Sequence, residues 1–260
     1  MLALDQIKEQ YPPSLRQFEK RILREYLQYK ILEIIFDSKS KISAKLSFLG
    51  GTALRIIYGN QRFSDDLDFD NFGLTKLEFQ NLAKSIKVGL ELQGIKTQTD
   101  VSFKGAYRCN LRFPEILHFF GLSPYPGEKI LIQVDSVSQD FSYSPQKKII
   151  NKFDVFSEIF VTPPDILLAQ KIFAATGRKR AKGRDFYDIV FLLSFVRPNY
   201  EYLKSKINVA NFTELKNKLI KTTADFNFKE LARDVELFLF NPDDRKKVEL
   251  FITYIESLNS

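Results

Sequence analysis

The chain of 260 residues holds one cysteine, Cys109, and one histidine, His118. A lone cysteine excludes an internal disulfide and any cysteine-rich zinc site, which suits a reducing compartment. A lone histidine excludes a multi-histidine metal centre. Set in Ile116-Leu117-His118-Phe119-Phe120, it reads as a core or surface side chain rather than a catalytic one. No basic-then-apolar leader opens the sequence, and no apolar run approaches the ~20 residues that a membrane span needs. The expected location is the cytoplasm, with no membrane partner.

What the chain does hold is apolar material and positive charge. A hydrophobic fraction of 44% with 25 phenylalanines supplies the burial that a disordered chain lacks. The length allows one large or two small domains. Lysine and arginine number 39 against 32 aspartates and glutamates, a net charge of +7, which draws polyanions toward the surface. The densest basic stretch, Arg178-Lys179-Arg180-Ala181-Lys182-Gly183-Arg184, falls between two helical patterns. On charge alone it suits a phosphate backbone and a solvated loop equally.

Hydrophobic spacing organises the rest. Phe18, Ile22, Leu23, Tyr26, Leu27, Tyr29, Leu32 and Ile35 predict an amphipathic helix over Ser14 to Phe36. Leu46 to Leu49 reads as a short strand broken by Gly50-Gly51. A helix over Thr52 to Tyr58 follows, with Thr52 as its expected N-cap. Thr75 to Leu92 reads as a helix capped by Thr75 and closed by Gly94. Strands are expected over Lys96 to Phe103, Tyr107 to Phe113 and Ile130 to Asp135. From Pro163-Pro164 helical patterns dominate: Pro164 to about Thr176, Gly183 to about Arg197, then shorter helices to the C-terminus. The expected division is therefore residues 1–160, a mixed-sheet α/β domain, and residues 161–260, a helical domain.

The chemistry gathers between Leu49 and Asp70. In a strand, residues two apart share a face, so Asp66 and Asp68 point together while Leu67 and Phe69 point into the core. Asp70 shares the productive face and Asp65 takes the opposite one. Paired carboxylates repel unless a cation lies between them, and Mg²⁺ is commonly held by one or two carboxylates plus substrate phosphates. A Gly-Gly turn admits a phosphate close to the backbone, and the helix beginning there presents unpaired amides to an anion. Gly50, Gly51 and Thr52 are thus candidates to cradle a triphosphate, with Asp66 and Asp68 as metal carboxylates. In a two-ion arrangement a third carboxylate binds the second ion, and Asp135, at the end of its strand, is the candidate. This is the layout of a metal-dependent nucleotidyltransferase using Mg²⁺ or Mn²⁺ and an NTP.

Gly50-Gly-Thr-Ala-Leu54, followed by Arg62-Phe-Ser-Asp-Asp-Leu-Asp-Phe69, resembles the AbiEii/AbiGii toxin family of the DNA polymerase β-type nucleotidyltransferase superfamily. The resemblance implies an α/β (α+β) fold: a polymerase-β-like nucleotidyltransferase domain with a mixed sheet, followed by a helical C-terminal domain. It covers roughly residues 45 to 195. It extends to Lys171, the basic stretch, and Arg184-Asp185-Phe186-Tyr187-Asp188. It implies that Lys171 contacts the nucleotide phosphates, that Asp185 and Asp188 orient Lys171 or complete the active site, and that Ser64 and Arg184 help bind the nucleotide.

Family resemblance further implies a toxin of a type IV toxin–antitoxin or phage-defence pair, with a cognate antitoxin. The implied reaction moves a nucleotide from an NTP to an acceptor, in some members the 3′ end of tRNA. Transfer to a protein hydroxyl stays open, as does a nucleotide- or RNA-binding module with a vestigial acidic pair. A metal-dependent nuclease would need the carboxylates but not the Gly-Gly-Thr cradle.

Overall fold

The structure, a computed structural model, describes residues 1–37, 42–178 and 180–258. It comprises two compact units. The first holds Met1–Gly59 with Phe63–Thr162, and the second holds Asn60–Arg62 with the chain from Pro163 onward. Among the described residues no helix is long and apolar enough to cross a membrane.

The first unit runs α1 (Leu4–Glu9), α2 (Glu19–Asp37), β1 (Leu46–Leu49), α3 (Gly50–Tyr58), β2 (Leu67–Asn71), α4 (Lys76–Leu92), β3 (Gln98–Ser102), β4 (Tyr107–Phe113), α5 (Ile116–Phe119), β5 (Ile130–Val137), β6 (Gln146–Lys152) and β7 (Val155–Val161). Its strands form one sheet in the order β3-β4-β5-β2-β1-β7-β6. β2 runs parallel to β5 and β1 parallel to β7, while the other neighbours are antiparallel. Alternation sets the faces. Phe48, Leu67, Phe69, Cys109, Leu111, Ile132 and Val134 are buried on one side, and α2 and α4 pack against the sheet. Asp68, Arg108, Asn110, Gln133 and Asp135 occupy the other, polar side.

Local chemistry explains the element ends. Thr75 caps α4: its Oγ1 accepts from the Glu78 amide at 3.2 Å, and the Glu78 carboxylate accepts from the Thr75 amide at 2.8 Å, a reciprocal box that satisfies two end amides. α2 differs from the expected amphipathic helix. It starts at Glu19, after a 3₁₀ turn at Pro13–Leu15, and residues 25–32 are all buried. Its polar residues survive burial because they are paired: Glu25 with Arg55 at 2.9 Å and Lys152 at 2.8 Å, and Lys30 with Glu33 at 2.6 Å. A helix covered nearly all round is a core element, not a surface one.

β6 and β7 were not expected from the sequence. In β6 only Ile150 is buried, so the alternation that marks a strand is lost. In β7 the inward Val155, Ser157, Ile159 and Val161 alternate with outward Phe156 and Phe160, which blur the pattern. The turn between them holds Phe153 at φ 60°, a left-handed conformation uncommon outside glycine. Its ring packs edge-on against Tyr26 and Tyr29 at 5.3 Å each.

The second unit is helical: α6 (Pro164–Gly177), α7 (Gly183–Leu193), α8 (Tyr200–Ile207), α9 (Phe212–Thr223), α10 (Phe228–Glu236), α11 (Lys246–Glu249) and α12 (Phe251–Ser257). Pro164 opens α6 at its first turn, where a missing amide costs nothing. Asn199, Asn211 and Asn227 cap α8, α9 and α10. α7 ends four residues before the expected Arg197. There the Ser194 hydroxyl donates to the Phe191 carbonyl at 2.7 Å, competing with the helix ladder. Phe186 anchors the core, its ring 5.1 Å from Phe228 and 4.9 Å from Phe251.

At the start of α7 a Cβ on Gly183 would lie 2.8 Å from the Leu231 carbonyl carbon and 3.3 Å from Val235 Cβ. The α7–α10 contact therefore requires glycine. Gly183→Ala is expected to cost about 1–3 kcal/mol, the range of overpacked cores, read as a lower urea midpoint with the slope unchanged.

Candidate active site

The polar face of the sheet brings the acidic residues together through register. Asp68 in β2 is the partner of Asp135 in parallel β5, and adjacent strands lie about 4.8 Å apart. Asp66, immediately before β2, is fixed from β5 as well, its Oδ1 accepting from the Gln133 amide at 3.2 Å. Leu67 and Phe69 are buried, as alternation requires. Asp70 lies on the same side but is itself buried. Its Oδ1 accepts from the Asn71 amide at 2.8 Å and the Gln139 amide at 2.9 Å, so it ties down the chain after β5. Burial pushes its carboxyl above the usual carboxylate range.

β1 leads directly into α3, and the junction carries no oxygen-bearing cap because the N-cap residue is Leu49. Gly50 has φ +80°, and a Cβ there would sit 3.1 Å from both Cβ and Cγ of Asp68 and closer still to Oδ2. Asp68 and the first turn of α3 approach each other closely because position 50 lacks a side chain. Thr52, expected as the N-cap, does something else: it lies inside α3, and its hydroxyl donates to the Asp66 carbonyl. The helix thereby grips the backbone of the acidic residue itself. On the far side, Gln28 of α2 donates to the carbonyls of Ser64 at 2.9 Å and Asp65 at 3.0 Å, and Arg24 pairs with Asp65 at 2.8 Å. Residues 64–66 are thus held from three elements.

Asp135 has a partner that sequence reasoning missed. Arg108, its register neighbour on β4, donates Nε to Oδ1 at 2.9 Å and Nη2 to Oδ2 at 2.7 Å. Burial, opposed by the Gln133 amide and reinforced by the charges of Asp65 and Asp135, holds the Asp66 carboxyl above its ordinary range. Crowded, partly buried oxygen donors fit a hard divalent cation. Among the described residues no three acidic, histidine or cysteine side chains converge as a ready-made cage. An ion held by Asp66 and Asp68 together with substrate phosphates needs none.

In the second unit, Lys171 on α6 reaches Asp185 at 3.2 Å and Asp188 at 2.8 Å, both on α7. Asp188 is 0% exposed and fully engaged: Arg62 donates Nε to Oδ1 at 2.7 Å and Nη2 to Oδ2 at 2.6 Å, and the Asn60 amide donates to Oδ1 at 2.8 Å. Burial, which would raise the Asp188 carboxyl, is outweighed by Arg62 and Lys171, bringing it down to about 2. Asp185 also pairs with Arg178. The Arg184 guanidinium lies 4.6 Å over the Phe238 ring. Arg180, Lys182 and Arg184 line a cavity of about 590 Å³ opposite Asp225, Glu230 and Asp234, with Phe226 and Phe238 beside them. Lys179 of the basic stretch lies outside the described residues. His118 is exposed, as a surface reading of it expected.

Comparison with known structures finds this fold in other proteins. It resembles MenT4, a nucleotidyltransferase toxin from Mycobacterium tuberculosis H37Rv, at 13% identity and TM-score 0.59, covering 100% of this chain and 91% of that one. A putative nucleotidyltransferase from Helicobacter pylori matches at 19% identity and TM-score 0.56, over 93% and 99% of the two chains. JHP933 from H. pylori matches at 18% identity and TM-score 0.55, over 91% and 92%. At these identities the likeness is one of fold.

The sequence supplies the family. The chain belongs to the nucleotidyl transferase AbiEii toxins of type IV toxin–antitoxin systems, whose family model matches residues 33–256. No curated protein matches the sequence. Membership implies an NTP substrate and an antitoxin.

Two outcomes test the geometry. Because the Asp188 carboxyl is depressed in the fold, its stabilising effect is full above about pH 4, its unfolded value, and fades as pH falls toward 2. The stability gap between the native chain and Asp188→Asn, from urea titrations across that range, is expected to follow that course; a gap independent of pH contradicts it. Replacing Arg62 by methionine leaves a buried charge short of its main partner and is expected to cost about 3–5 kcal/mol.

Proposed function

We propose that this chain transfers a nucleotide from an NTP to the 3′ end of an RNA, most specifically a tRNA. The acceptor hydroxyl oxygen bonds to the α-phosphorus as the bond to pyrophosphate breaks. The observation that carries this reading is the close approach of Gly50 and Asp68, which supports a phosphate on the helix start beside a metal ion on the carboxylates. The amides of Gly50, Gly51 and Thr52 would receive phosphate oxygens. Asp66 and Asp68 would hold Mg²⁺ or Mn²⁺, which when bound offsets the charge that develops on the phosphates.

Lys171 belongs to the same proposal. Its ammonium has three donors, and the two given to Asp185 and Asp188 fix its direction, which leaves one for a phosphate oxygen. Ser64 and Arg184 are assigned to the nucleotide on the family pattern alone. The acceptor class rests on the basic stretch and the net charge of +7: phosphates suit Arg180, Lys182 and Arg184, and unpaired bases stack on aromatic rings such as the nearby Phe226. Such substrates place the activity in the cytoplasm. A toxin that modifies tRNA ends would halt translation, and its antitoxin would relieve that block.

The test is incubation with total RNA and each α-labelled NTP in turn, alongside Asp66→Ala Asp68→Ala. Label entering RNA only with the intact acidic pair is expected. Label entering protein instead would reassign the acceptor, and bound NTP without incorporation would reduce the chain to a binding module. Lys171→Ala is expected to weaken nucleotide binding about tenfold or more, the loss of a charged hydrogen bond. The fold should persist because Arg62 and Arg178 still neutralise the two aspartates; unchanged affinity removes Lys171 from the site.

A further inference from the structure

The pairing of Arg108 with Asp135 carries an inference beyond that reading, though it rests on Asp66 and Asp68 being the metal carboxylates. Both Asp135 oxygens are engaged, Oδ1 by Nε at 2.9 Å and Oδ2 by Nη2 at 2.7 Å and by Nε at 3.2 Å. A guanidinium stays charged at any pH a protein survives, and its planar fork matches a carboxylate edge. Register fixes the arrangement: Arg108 opposes Asp135 across the β4–β5 pair, and Asp135 opposes Asp68 across the β5–β2 pair. The cation therefore lies on the same polar face, next but one to the acidic strand, and the charges of Asp66 and Asp68 act on it as well.

A site that binds two ions about 3.5–4 Å apart would need Asp135 free to take the second. Here a side chain already supplies that positive charge. We infer that Arg108 is the built-in counter-cation of the third carboxylate, so that this chain holds one divalent ion through Asp66 and Asp68 while Asp135 serves to position Arg108. The pair is reachable from solvent, with side-chain exposures of 45% for Arg108 and 22% for Asp135, so replacing the arginine need not disturb the core.

The test counts Mn²⁺ bound per chain, without nucleotide, from the loss of the free-ion electron paramagnetic resonance signal. The native chain is expected to take up one ion, and Asp135→Asn to do so with affinity within about threefold, short of the roughly 10–100-fold loss that follows removal of a hydrogen-bond partner of a metal ligand. Arg108→Met is expected to add a second ion, Arg108→Lys to stay at one, and Arg108→Met with Asp135→Asn to return to one. An Arg108→Met variant that binds like the native chain overturns the inference, as does loss of the single site in Asp135→Asn. Where the nucleotide-free chain takes up no ion, the same counts are read with a non-hydrolysable NTP analogue present, and failure of the native chain and every variant to bind Mn²⁺ there as well overturns the metal reading itself, and the inference with it. Retention of a site that Asp66→Asn abolishes, with Arg108→Met unchanged, overturns the Arg108 assignment alone.

Discussion

A carboxylate can rest against the first turn of a helix only if that turn leaves room for it, and in this fold the room comes from a missing Cβ. Gly50 turns the chain from β1 into α3 at a φ that side-chain-bearing residues rarely adopt, and the vacated space is filled by the Asp68 carboxylate. Three other features gather around that contact. The uncapped amides of α3 face the side of the sheet that carries charge, the Thr52 hydroxyl secures the Asp66 carbonyl, and β5 delivers Asp135 one strand away. Without the close approach, the helix start and the acidic pair would be two unrelated pieces of surface.

The second unit solves a different electrostatic problem. Asp188 is removed from water altogether, a state tolerated only when its oxygens are fully bonded and its charge is matched. Arg62, Asn60 and Lys171 do this together. The arrangement leaves Lys171 as a directed cation rather than a waving surface lysine, since two carboxylates fix its head group. The aromatic core around Phe186 and the tight α7–α10 contact at Gly183 hold α7, and hence both aspartates, in place.

Much of this was legible in the chain because its signals are local. The Asp66-Leu67-Asp68-Phe69 alternation, the Thr75 cap and the Pro163-Pro164 helix start each lie within a few residues, where periodicity and capping chemistry operate. What stayed hidden depends on distant partners. Nothing near Arg62 reveals Asp188, 126 positions later, and nothing near Arg108 reveals Asp135, 27 positions later. The β6–β7 hairpin was hidden for another reason: at the sheet edge β6 buries a single residue, so no alternation is written into it. Thr52 misled because a threonine before a helical pattern has two uses, capping its own helix or bonding across to a neighbouring strand end, and the glycine pair let the helix begin two residues earlier.

On the proposed reading, Asp66 and Asp68 would hold one divalent ion together with the phosphates of a nucleotide seated on the start of α3. Crystals grown with Mn²⁺ and a non-hydrolysable NTP analogue would test it most directly through the anomalous signal of manganese. The expected result is a peak in direct coordination with oxygens of Asp66, Asp68 and the analogue's phosphates, with phosphate oxygens accepting from the amides at Gly50 to Thr52. A manganese peak elsewhere in the chain, or a triphosphate bound away from that helix start, would contradict it.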